Sequence, residues 1–481
     1  MPEPRTWQLT ACSAVLGLAL AAGAATAAGP WDNGQRTAER ARAAAATPTG
    51  GVHHAPPAAP PRPAPAPTAP GVLRALGARG AAQGTAPAGD FAAVLVPLLA
   101  DPGLGPLRTA SVVDATTGKQ LYGEGATTPM TPASTIKIAT SVAVLSALGP
   151  DHRIATTAVA SPDGRTVTLV GGGDPTLDRA RLEALATGTA RALKARGVTA
   201  VRLAYDTSLY QGPALHPIGP DQNIAPVSAL MLDEGRLDGS HSGIAPRASD
   251  PAGDAATAFA DLLAEAGTKV KGAPAPGRAP KDPKAAEAAP LARTESAPLS
   301  ALVERTLTNS DNDLAEALAR QTALARQQPA SFAGAGKAVR DELAALGLPT
   351  AGARFADGSG LSRADRLSAA LLTGLLTRAA DPARPALRPA LTGLPVGGFS
   401  GTLKSRFDTG PALGGAGLVR AKTGTLKGVN TLAGTVVTAD GRLLAFAFLA
   451  GRTDSPYEAQ PALDRLSAAL APQGGATPNL P

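Results

Sequence analysis

Residues 134–148 form an almost entirely apolar stretch, and this feature constrains the fold more than any other. Its apolar side chains occupy nearly every face of a helix, which is the pattern of a helix buried in a protein core. Ser134 and Lys137 stand in its first turn, three residues apart, so their side chains share one helix face. A hydroxyl group beside an amine that can take its proton is a candidate nucleophile with its base. The rest of the chain is therefore expected to fold around this helix.

Two further motifs follow Ser134-Thr-Ile-Lys137 along the chain. Ser310-Asp311-Asn312 interrupts two helical patterns, and Lys422-Thr423-Gly424-Thr425 lies in a predicted strand. The chain has only 11 lysines among 481 residues, so a lysine in both the first and the third motif is an informative coincidence. Motifs of this kind occur together in serine acyl-transfer enzymes, where they supply one active site.

The residue types in these motifs suggest distinct roles. Ser134 Oγ must lose a proton to attack a carbonyl carbon, and Lys137 can accept it if the amine is neutral. Burial, or a neighbouring cation such as Lys422, would favour the neutral amine. Ser310 would relay a proton to a leaving amine, and Asn312 would hold either Lys137 or a substrate amide.

The predicted strand offers a surface for an extended peptide. Gly424 lets another backbone approach closely. The backbone N–H groups of Ser134 and Thr425 are predicted to form an oxyanion hole, which stabilises negative charge on the attacked carbonyl. Lys422, Thr423 and Thr425 are predicted to bind a terminal carboxylate. For the two threonines the alternative is a purely structural role, because β-branched residues are common in strands.

These motifs resemble those of the D-alanyl-D-alanine carboxypeptidase/endopeptidase family of class C low-molecular-mass penicillin-binding proteins, peptidase family S13. The resemblance covers most of residues 90–455. It implies removal of the terminal D-Ala from peptidoglycan stem peptides, cleavage of D-Ala–meso-diaminopimelate crosslinks, or both. It also implies acylation by penicillin and other β-lactams. Further stretches that carry the resemblance are Leu169–Leu177, Ala225–Leu230, Asp357–Arg363 and Arg420–Leu426.

The fold that this resemblance implies is α/β (α+β). It is a penicillin-binding-protein/β-lactamase-like transpeptidase domain, with a central antiparallel sheet flanked by helices, plus a small inserted α/β domain. Alternating helix and strand patterns between the first two motifs predict the insertion. The resemblance implies two inserted domains in members with a full insertion. Because Met231–Asp250 is only a short connection where the second would be expected, that domain is predicted to be reduced or missing. The predicted parts are a catalytic domain of 90–154 and 296–472, an insertion of 155–295 and a tail of 473–481.

Within the catalytic domain, turn signals and strand patterns predict a hairpin over 111–122 and a second one through Asp440-Gly441. Helical periodicity predicts several helices across both parts. The predicted strands are 166–170, 198–205, 418–425, 431–437 and 443–449, and the predicted helices are 182–196, 255–266, 299–307, 366–378 and 460–470.

The N-terminal 89 residues are predicted to deliver the folded part outside the cell. Residues 1–28 have the pattern of an export signal, and the alternative is a weak membrane tether through 11–28. Residues 29–89 are rich in Pro and Ala and predict a disordered linker. This linker carries +4 of the net charge of +7, so the remainder is nearly balanced and a nucleic-acid partner is not expected. The predicted location is the extracellular or cell-wall face of the membrane, either secreted or anchored.

The same composition limits the chemistry. Cys12 is the only cysteine, and the five histidines show no metal-ligand spacing, so neither a metal nor another cofactor is expected. A serine β-lactamase is one alternative, but no Glu after Asn312 begins the Glu-x-x-x-Asn pattern that supplies a deacylating base. A non-catalytic module that senses the wall or β-lactams is the other. The balance of carboxypeptidase and endopeptidase activity and the oligomeric state stay open.

Overall fold

The computed structural model of the chain describes residues 91–280, 290–438 and 441–471. The predictions for residues 1–28, 29–89 and 473–481 lie outside these ranges, as does Asp440 of the predicted second turn. Within the described ranges, no helix combines the length and the apolar character needed to cross a membrane.

The described residues contain strands of two separate sheets and the helices that cover them. The strands are β1 (Leu107–Asp114), β2 (Gln120–Glu124), β3 (Ala155–Ala160), β4 (Thr166–Val170), β5 (Ala200–Asp206), β6 (Lys269–Val270), β7 (Ala275–Pro276), β8 (Ala292–Glu295), β9 (Arg420–Leu426), β10 (Val429–Val437) and β11 (Leu443–Gly451). The helices are α1 (Phe91–Leu99), α2 (Ile136–Leu148), α3 (Arg179–Ala195), α4 (Pro251–Glu265), α5 (Leu299–Asn309), α6 (Asn312–Ala325), α7 (Phe332–Ala345), α8 (Ala369–Ala380), α9 (Pro389–Thr392) and α10 (Pro456–Ala468).

The first sheet is antiparallel and has the order β2-β1-β11-β10-β9. β10 and β11 lie at its centre, and both are buried along almost their whole length because helices cover each face of the sheet. The predicted hairpin β1–β2 is confirmed, although β1 begins at Leu107, four residues earlier than predicted. The three predicted C-terminal strands are confirmed, with boundaries that shift by at most two residues.

Helix α2 lies at the centre of the layer on one face of this sheet. Ten of its 13 residues are buried, which explains why its sequence is apolar on nearly every side. It packs against α5, α6, α7 and α8, and Val142 and Leu145 belong to the same core as Leu449 of β11. On the opposite face, α1 and α10 cover a second core around Phe446 and Phe448. Helix α2 is therefore fixed between a sheet and a shell of helices.

The second sheet lies within 155–295, the range predicted for an insertion. Its order is β6-β5-β4-β3-β8, and β7 also pairs with β5. β4, β5, β6 and β7 pair in parallel, whereas β3 pairs antiparallel with β4 and β8. α3 and α4 cover this sheet with buried side chains such as Leu185 and Phe259. The domain boundaries themselves stay predictions.

Some helix boundaries differ from the predicted ones for identifiable reasons. The turn before α2 is a 3-10 turn, Ala133–Thr135, so the α-helix begins only at Ile136 and not at Ser134. α8 begins at Ala369 rather than at 366 because the Ser368 side chain caps it by accepting the Leu371 N–H. α7 was not predicted, although Ser331 caps its N-terminus in the same way.

Candidate active site

The turn that carries Ser134 is fixed by the side chains around it. Ala133, immediately before it, has a positive φ of 47°. The hydroxyl groups of Thr135 and Thr431 both donate to the Pro132 carbonyl, at 2.7 and 2.8 Å. Thr431 belongs to β10, so the sheet itself holds the turn. Ser134 is thereby presented at the N-terminal end of a rigid, buried helix.

Lys137 lies one helical turn further on and is fully buried. Its Nζ is 2.9 Å from Ser134 Oγ, 2.7 Å from Asn312 Oδ1 and 2.6 Å from the carbonyl oxygen of Ser359. The amide and carbonyl oxygens can only accept hydrogen bonds. A neutral amine has two N–H groups to donate to them, which leaves its lone pair for the hydroxyl proton of Ser134. The geometry therefore suits Lys137 as a base for Ser134.

Burial lowers the pKa of Lys137 to about 8, even though Asp357, Asp311, Glu316 and Asp313 all act to raise it. Desolvation outweighs these carboxylates because the ammonium loses nearly all of its hydration. Lys422 is also fully buried, and its pKa is lowered first by burial and then by Lys137. The sequence had suggested that a neighbouring cation such as Lys422 could lower the pKa of Lys137. In the structure, burial is the main cause of the lowered pKa.

Ser310 and Asn312 reach the site from the junction of α5 and α6. Ser310 caps the end of α5 in the left-handed conformation, with φ 60° and ψ 37°. Asp311 then begins α6 by accepting the Leu314 N–H at 3.0 Å. Asn312 accepts from Lys137 through Oδ1 and donates through Nδ2 to the Asn223 carbonyl at 3.0 Å. Of the two roles predicted for Asn312, the structure shows its contact with Lys137.

β9 supplies the third motif from the edge of the first sheet. Ala421 N–H donates outward to the Pro395 carbonyl, away from β10. Backbone groups alternate along a strand, so the N–H groups of Thr423 and Thr425 face the same outer edge. Lys422 Nζ donates to the Thr423 carbonyl at 2.8 Å, and Thr423 Oγ1 lies 2.9 Å from Thr402 Oγ1. Among the described residues, no strand pairs with this edge beyond Arg420.

A cleft of about 240 Å³ joins these elements. The three motifs all contribute to its lining, whereas the buried lysines lie behind it. The motif residues that line it are Ser134, Ser310, Asp311, Asn312, Thr423 and Thr425. A bound carbonyl group would therefore meet the Ser134 hydroxyl, the Ser310 side chain and the edge of β9 in one place.

The segment between β5 and α4 lines one side of this cleft. Arg236 and Arg247 line it and belong to the short connection 231–250. Arg247 pairs with Asp313 at 2.8 Å, and Arg236 pairs with Glu234 at 2.9 Å. Arg305 of α5 also contacts Glu234 and lies 3.5 Å from Asp311. The pairs of Arg247 with Asp313 and of Arg305 with Glu234 tie this segment to the residues around the second motif.

Replacing Gly424 by valine is expected to slow acylation of Ser134 about 100-fold, because small misplacements of reacting groups have effects of that size. A Cβ at Gly424 would lie 2.2 Å from Thr431 Oγ1 and 2.7 Å from the Pro132 carbonyl. β9 would have to move away from the Ser134 turn. Gly414→Val is the matched control, since a Cβ there has no neighbour within 4 Å. If a penicillin labelled the two variants at equal rates, the close approach of β9 to the Ser134 turn at Gly424 would not matter for acylation.

The sequence motifs did not assign any role to the segment 357–362. Its Ser359 carbonyl is the third partner of Lys137. Glu316 Oε1 holds this segment by accepting the N–H groups of Gly358 and Ser359, both at 2.9 Å. Gly360 has a φ of 85°, and a Cβ there would lie 2.1 Å from the Ala133 carbonyl. The family resemblance of Asp357–Arg363 was the available signal, but a backbone carbonyl has no sequence signature.

Comparisons with known proteins show which family the chain belongs to. The model of the D-Ala-D-Ala carboxypeptidase 3 (S13) family matches residues 92–243 and 237–470. Carboxypeptidase DacB of Mycolicibacterium smegmatis is 38% identical over 444 residues, which cover 89% of this chain and 93% of that protein. The D-alanyl-D-alanine carboxypeptidase of an Actinomadura species is 30% identical over 435 residues, covering 72% of this chain and 78% of that protein.

A solved structure shows the same fold. Penicillin binding protein 4 (dacB) of Haemophilus influenzae superposes with a TM-score of 0.64 at 22% identity, covering 78% of this chain and 98% of that one. The predicted fold class is thereby confirmed. Since the family model spans most of the described residues and the relatives align over most of their length, this chain belongs to the D-Ala-D-Ala carboxypeptidase 3 (S13) family.

Proposed function

We propose that this chain is a serine D-Ala-D-Ala carboxypeptidase that acts on peptidoglycan stem peptides and is acylated by β-lactams. The observation that carries the proposal is the position of Lys137 Nζ, 2.9 Å from Ser134 Oγ, with two other acceptors holding its protons. Family membership and the names of the relatives support the same activity.

In the proposed acylation step, Ser134 Oγ attacks the carbonyl carbon of the penultimate D-Ala while its proton passes to Lys137 Nζ. Negative charge develops on the carbonyl oxygen, and the N–H groups of Ser134 and Thr425 are proposed to stabilise it. The C–N bond then breaks, and Ser310 relays the proton from Lys137 to the leaving amine. The products are an ester on Ser134 and free D-Ala.

The edge of β9 is proposed to hold the substrate. An extended peptide can pair with the outward backbone groups of Thr423 and Thr425. The terminal carboxylate would meet the hydroxyl groups of these threonines, with the buried Lys422 amine behind them holding the Thr423 carbonyl. This arrangement selects for a free C-terminal carboxylate next to the scissile bond.

In the proposed deacylation step, water attacks the ester on Ser134 and its proton passes to Lys137. The C–O bond breaks, and the hydroxyl of Ser134 is restored. In a β-lactam, the leaving amine stays covalently tethered to the acyl group and remains near the site. The acyl-enzyme is therefore expected to persist longer with penicillin than with a peptide.

Endopeptidase activity on crosslinked peptides is the second candidate. A groove of about 670 Å³ adjoins the catalytic cleft and shares Asn223, Ile244 and Arg247 with it. Leu215 and Ile244 give this groove an exposed apolar surface, at 45% and 66% exposure. A crosslinked partner strand needs space beyond the scissile bond, and this groove would provide it.

The proposed location follows from the substrate. Peptidoglycan lies outside the cytoplasm, so we propose that residues 1–28 direct export, with cleavage or a tether through 11–28 as alternatives. Residues 29–89 would then act as a spacer between the membrane and the catalytic domain. Both proposals rest on the sequence pattern, together with the peptidoglycan substrate proposed above.

The acylation rate is expected to rise with pH through the pKa of Lys137, which burial places at about 8. Only the neutral amine can accept the Ser134 proton, and each pH unit below the pKa lowers the neutral fraction about tenfold. The second-order rate constant for labelling by a fluorescent penicillin, measured between about pH 6 and about pH 9, checks this expectation. A flat profile would contradict the assignment of Lys137 as the base.

The activity itself can be tested with the purified full chain. A pentapeptide ending in D-Ala-D-Ala should release D-Ala, and prior treatment with penicillin should block the release. A crosslinked muropeptide, assayed in parallel, separates endopeptidase from carboxypeptidase activity. Rapid hydrolysis of the penicillin without peptide cleavage would favour a β-lactamase instead, and penicillin binding without any turnover would favour a sensing module.

A further inference from the structure

A buried histidine contacts the segment 357–362, whose Ser359 carbonyl contacts Lys137. His216 belongs to the segment between β5 and α4, within the predicted insertion, and only 2% of its surface is exposed. Its Nε2 is 3.0 Å from Asp357 Oδ2, and its Nδ1 accepts the Ile218 N–H at 3.3 Å. Because Nδ1 accepts, Nε2 carries the proton that is donated to Asp357.

Asp357 in turn shapes the segment that contacts Lys137. Its Oδ1 accepts the Gly360 N–H and its Oδ2 accepts the Ser362 N–H, both at 2.6 Å. These two bonds wrap the backbone around the carboxylate. Ser359 lies inside this wrapped segment, and its carbonyl faces Lys137 Nζ at 2.6 Å and Ser134 Oγ at 3.5 Å. The orientation of that carbonyl therefore depends on where Asp357 is held.

We infer that His216 is a positioning residue for the acylation of Ser134. By donating to Asp357, it fixes the segment 357–362 and with it the Ser359 carbonyl that orients Lys137. The inference rests on the proposed function, because it assigns His216 to the same reaction. It also gives the inserted segment a direct connection to the catalytic base.

The surroundings of His216 favour this role over a metal site. His216, Glu316 and Asp357 could together offer ligands to a cation, since their ligand atoms lie within 4.8 Å of one another. However, Glu316 Oε1 and both oxygens of Asp357 already accept backbone N–H groups. Phe332 packs against the ring of His216 edge to face, with the ring centroids 5.1 Å apart.

The charged groups near the contact of His216 with Asp357 also affect how the labelling rate depends on pH. Asp357 and Glu316 face His216, Asp365 shares a side-chain hydrogen bond with Asp357, and Arg320 stacks on Phe332 at 4.3 Å. Lys137 experiences the same two carboxylates, together with Asp311 and Asp313, and its charge acts on Lys422. Loss of the ordered Ser359 acceptor would destabilise the ammonium form of Lys137. The acid limb of the rate profile would then move to lower pH.

Three variants of the full chain test the inference. His216→Leu removes the donor, His216→Gln retains an N–H that can reach Asp357, and Phe332→Leu removes the ring contact but leaves the donor. We expect His216→Leu to lower the rate of labelling by a penicillin about 10- to 100-fold. In this variant, the rise of the labelling rate with pH should begin at a lower pH than in the wild type. His216→Gln should recover most of the rate, and Phe332→Leu should lose thermal stability with little change in rate.

The possible outcomes separate the inference from the proposed function. A folded His216→Leu variant that is labelled at the wild-type rate would overturn the positioning role. The positioning role would also be overturned if the labelling rate fell in Phe332→Leu as well, in proportion to the thermal stability that each variant loses. It would likewise be overturned if the labelling rate of His216→Gln stayed as low as that of His216→Leu. If the wild-type chain neither binds penicillin nor cleaves peptides, the proposed function fails instead.

Discussion

The Ser134→Ala variant is expected to lose covalent labelling by penicillin and to cleave D-Ala-D-Ala peptides at least about 10⁴-fold more slowly than the wild type. The reason is that Ser134 Oγ is the proposed attacking atom, and the neighbouring groups serve only to activate it or to stabilise its adduct. Removing the hydroxyl group leaves Lys137 without a partner to deprotonate. The measurement is the fluorescence of the protein band after incubation with a labelled penicillin, together with D-Ala release.

Ser146→Ala provides a matched control for this experiment. Ser146 lies on the same helix as Lys137, but its hydroxyl donates to Glu342 at 2.6 Å, away from the cleft. This variant should be labelled like the wild type. If Ser134→Ala is labelled to the same extent as Ser146→Ala, a different nucleophile must be responsible and the proposed site is wrong.

Lys137→Arg is expected to lower the acylation rate by about 10³- to 10⁴-fold, near the upper limit for loss of a general base. A guanidinium group keeps its proton at every pH that the protein tolerates, so it cannot accept one from Ser134. Its larger, planar head must also fit where Lys137 Nζ now contacts Asn312 and Ser359. The rate of penicillin labelling measures the effect.

The variant Lys137→Met distinguishes the effect of losing the basic amine from the effect of the larger head group in Lys137→Arg. It keeps a side chain of similar length and removes the amine, so the variant should be as slow as Lys137→Arg while losing less stability. Lys337→Met is a control for a lysine that pairs only with Asp341 on the surface. Raising the pH should not restore either Lys137 variant, and restoration at high pH would contradict the role of this amine as the base.

The sequence predicted the parts of the site that depend on side-chain type and spacing. Ser134 and Lys137 stand three residues apart on a helix, and local periodicity is enough to place both on one face. Lys422–Thr425 follow a strand pattern in the same way. These local patterns were readable because each depends on residues that are close in the sequence.

The parts that could not be predicted depend on contacts between distant segments. The Ser359 carbonyl reaches Lys137 from 222 positions away in the sequence, and any residue could have supplied it. The contact of His216 with Asp357 joins segments that are 141 residues apart. The low pKa of Lys137 depends on complete burial, which its own sequence does not reveal. The position of a lysine in an otherwise apolar helix was the only local indication that Lys137 would be buried and its pKa lowered.

The open edge of β9 has a consequence for the solubility of the protein. An unpaired strand edge is a template on which another polypeptide can add, and this is a common route to aggregation. Here the segment from Pro395 to Gly397 covers the start of the edge, at Val419 and Ala421, and leaves only a few residues of β9 open. The gap admits a short peptide, but it offers too few backbone groups for stable addition of a whole strand. Because the open edge of β9 is so short, it also limits self-association of the protein.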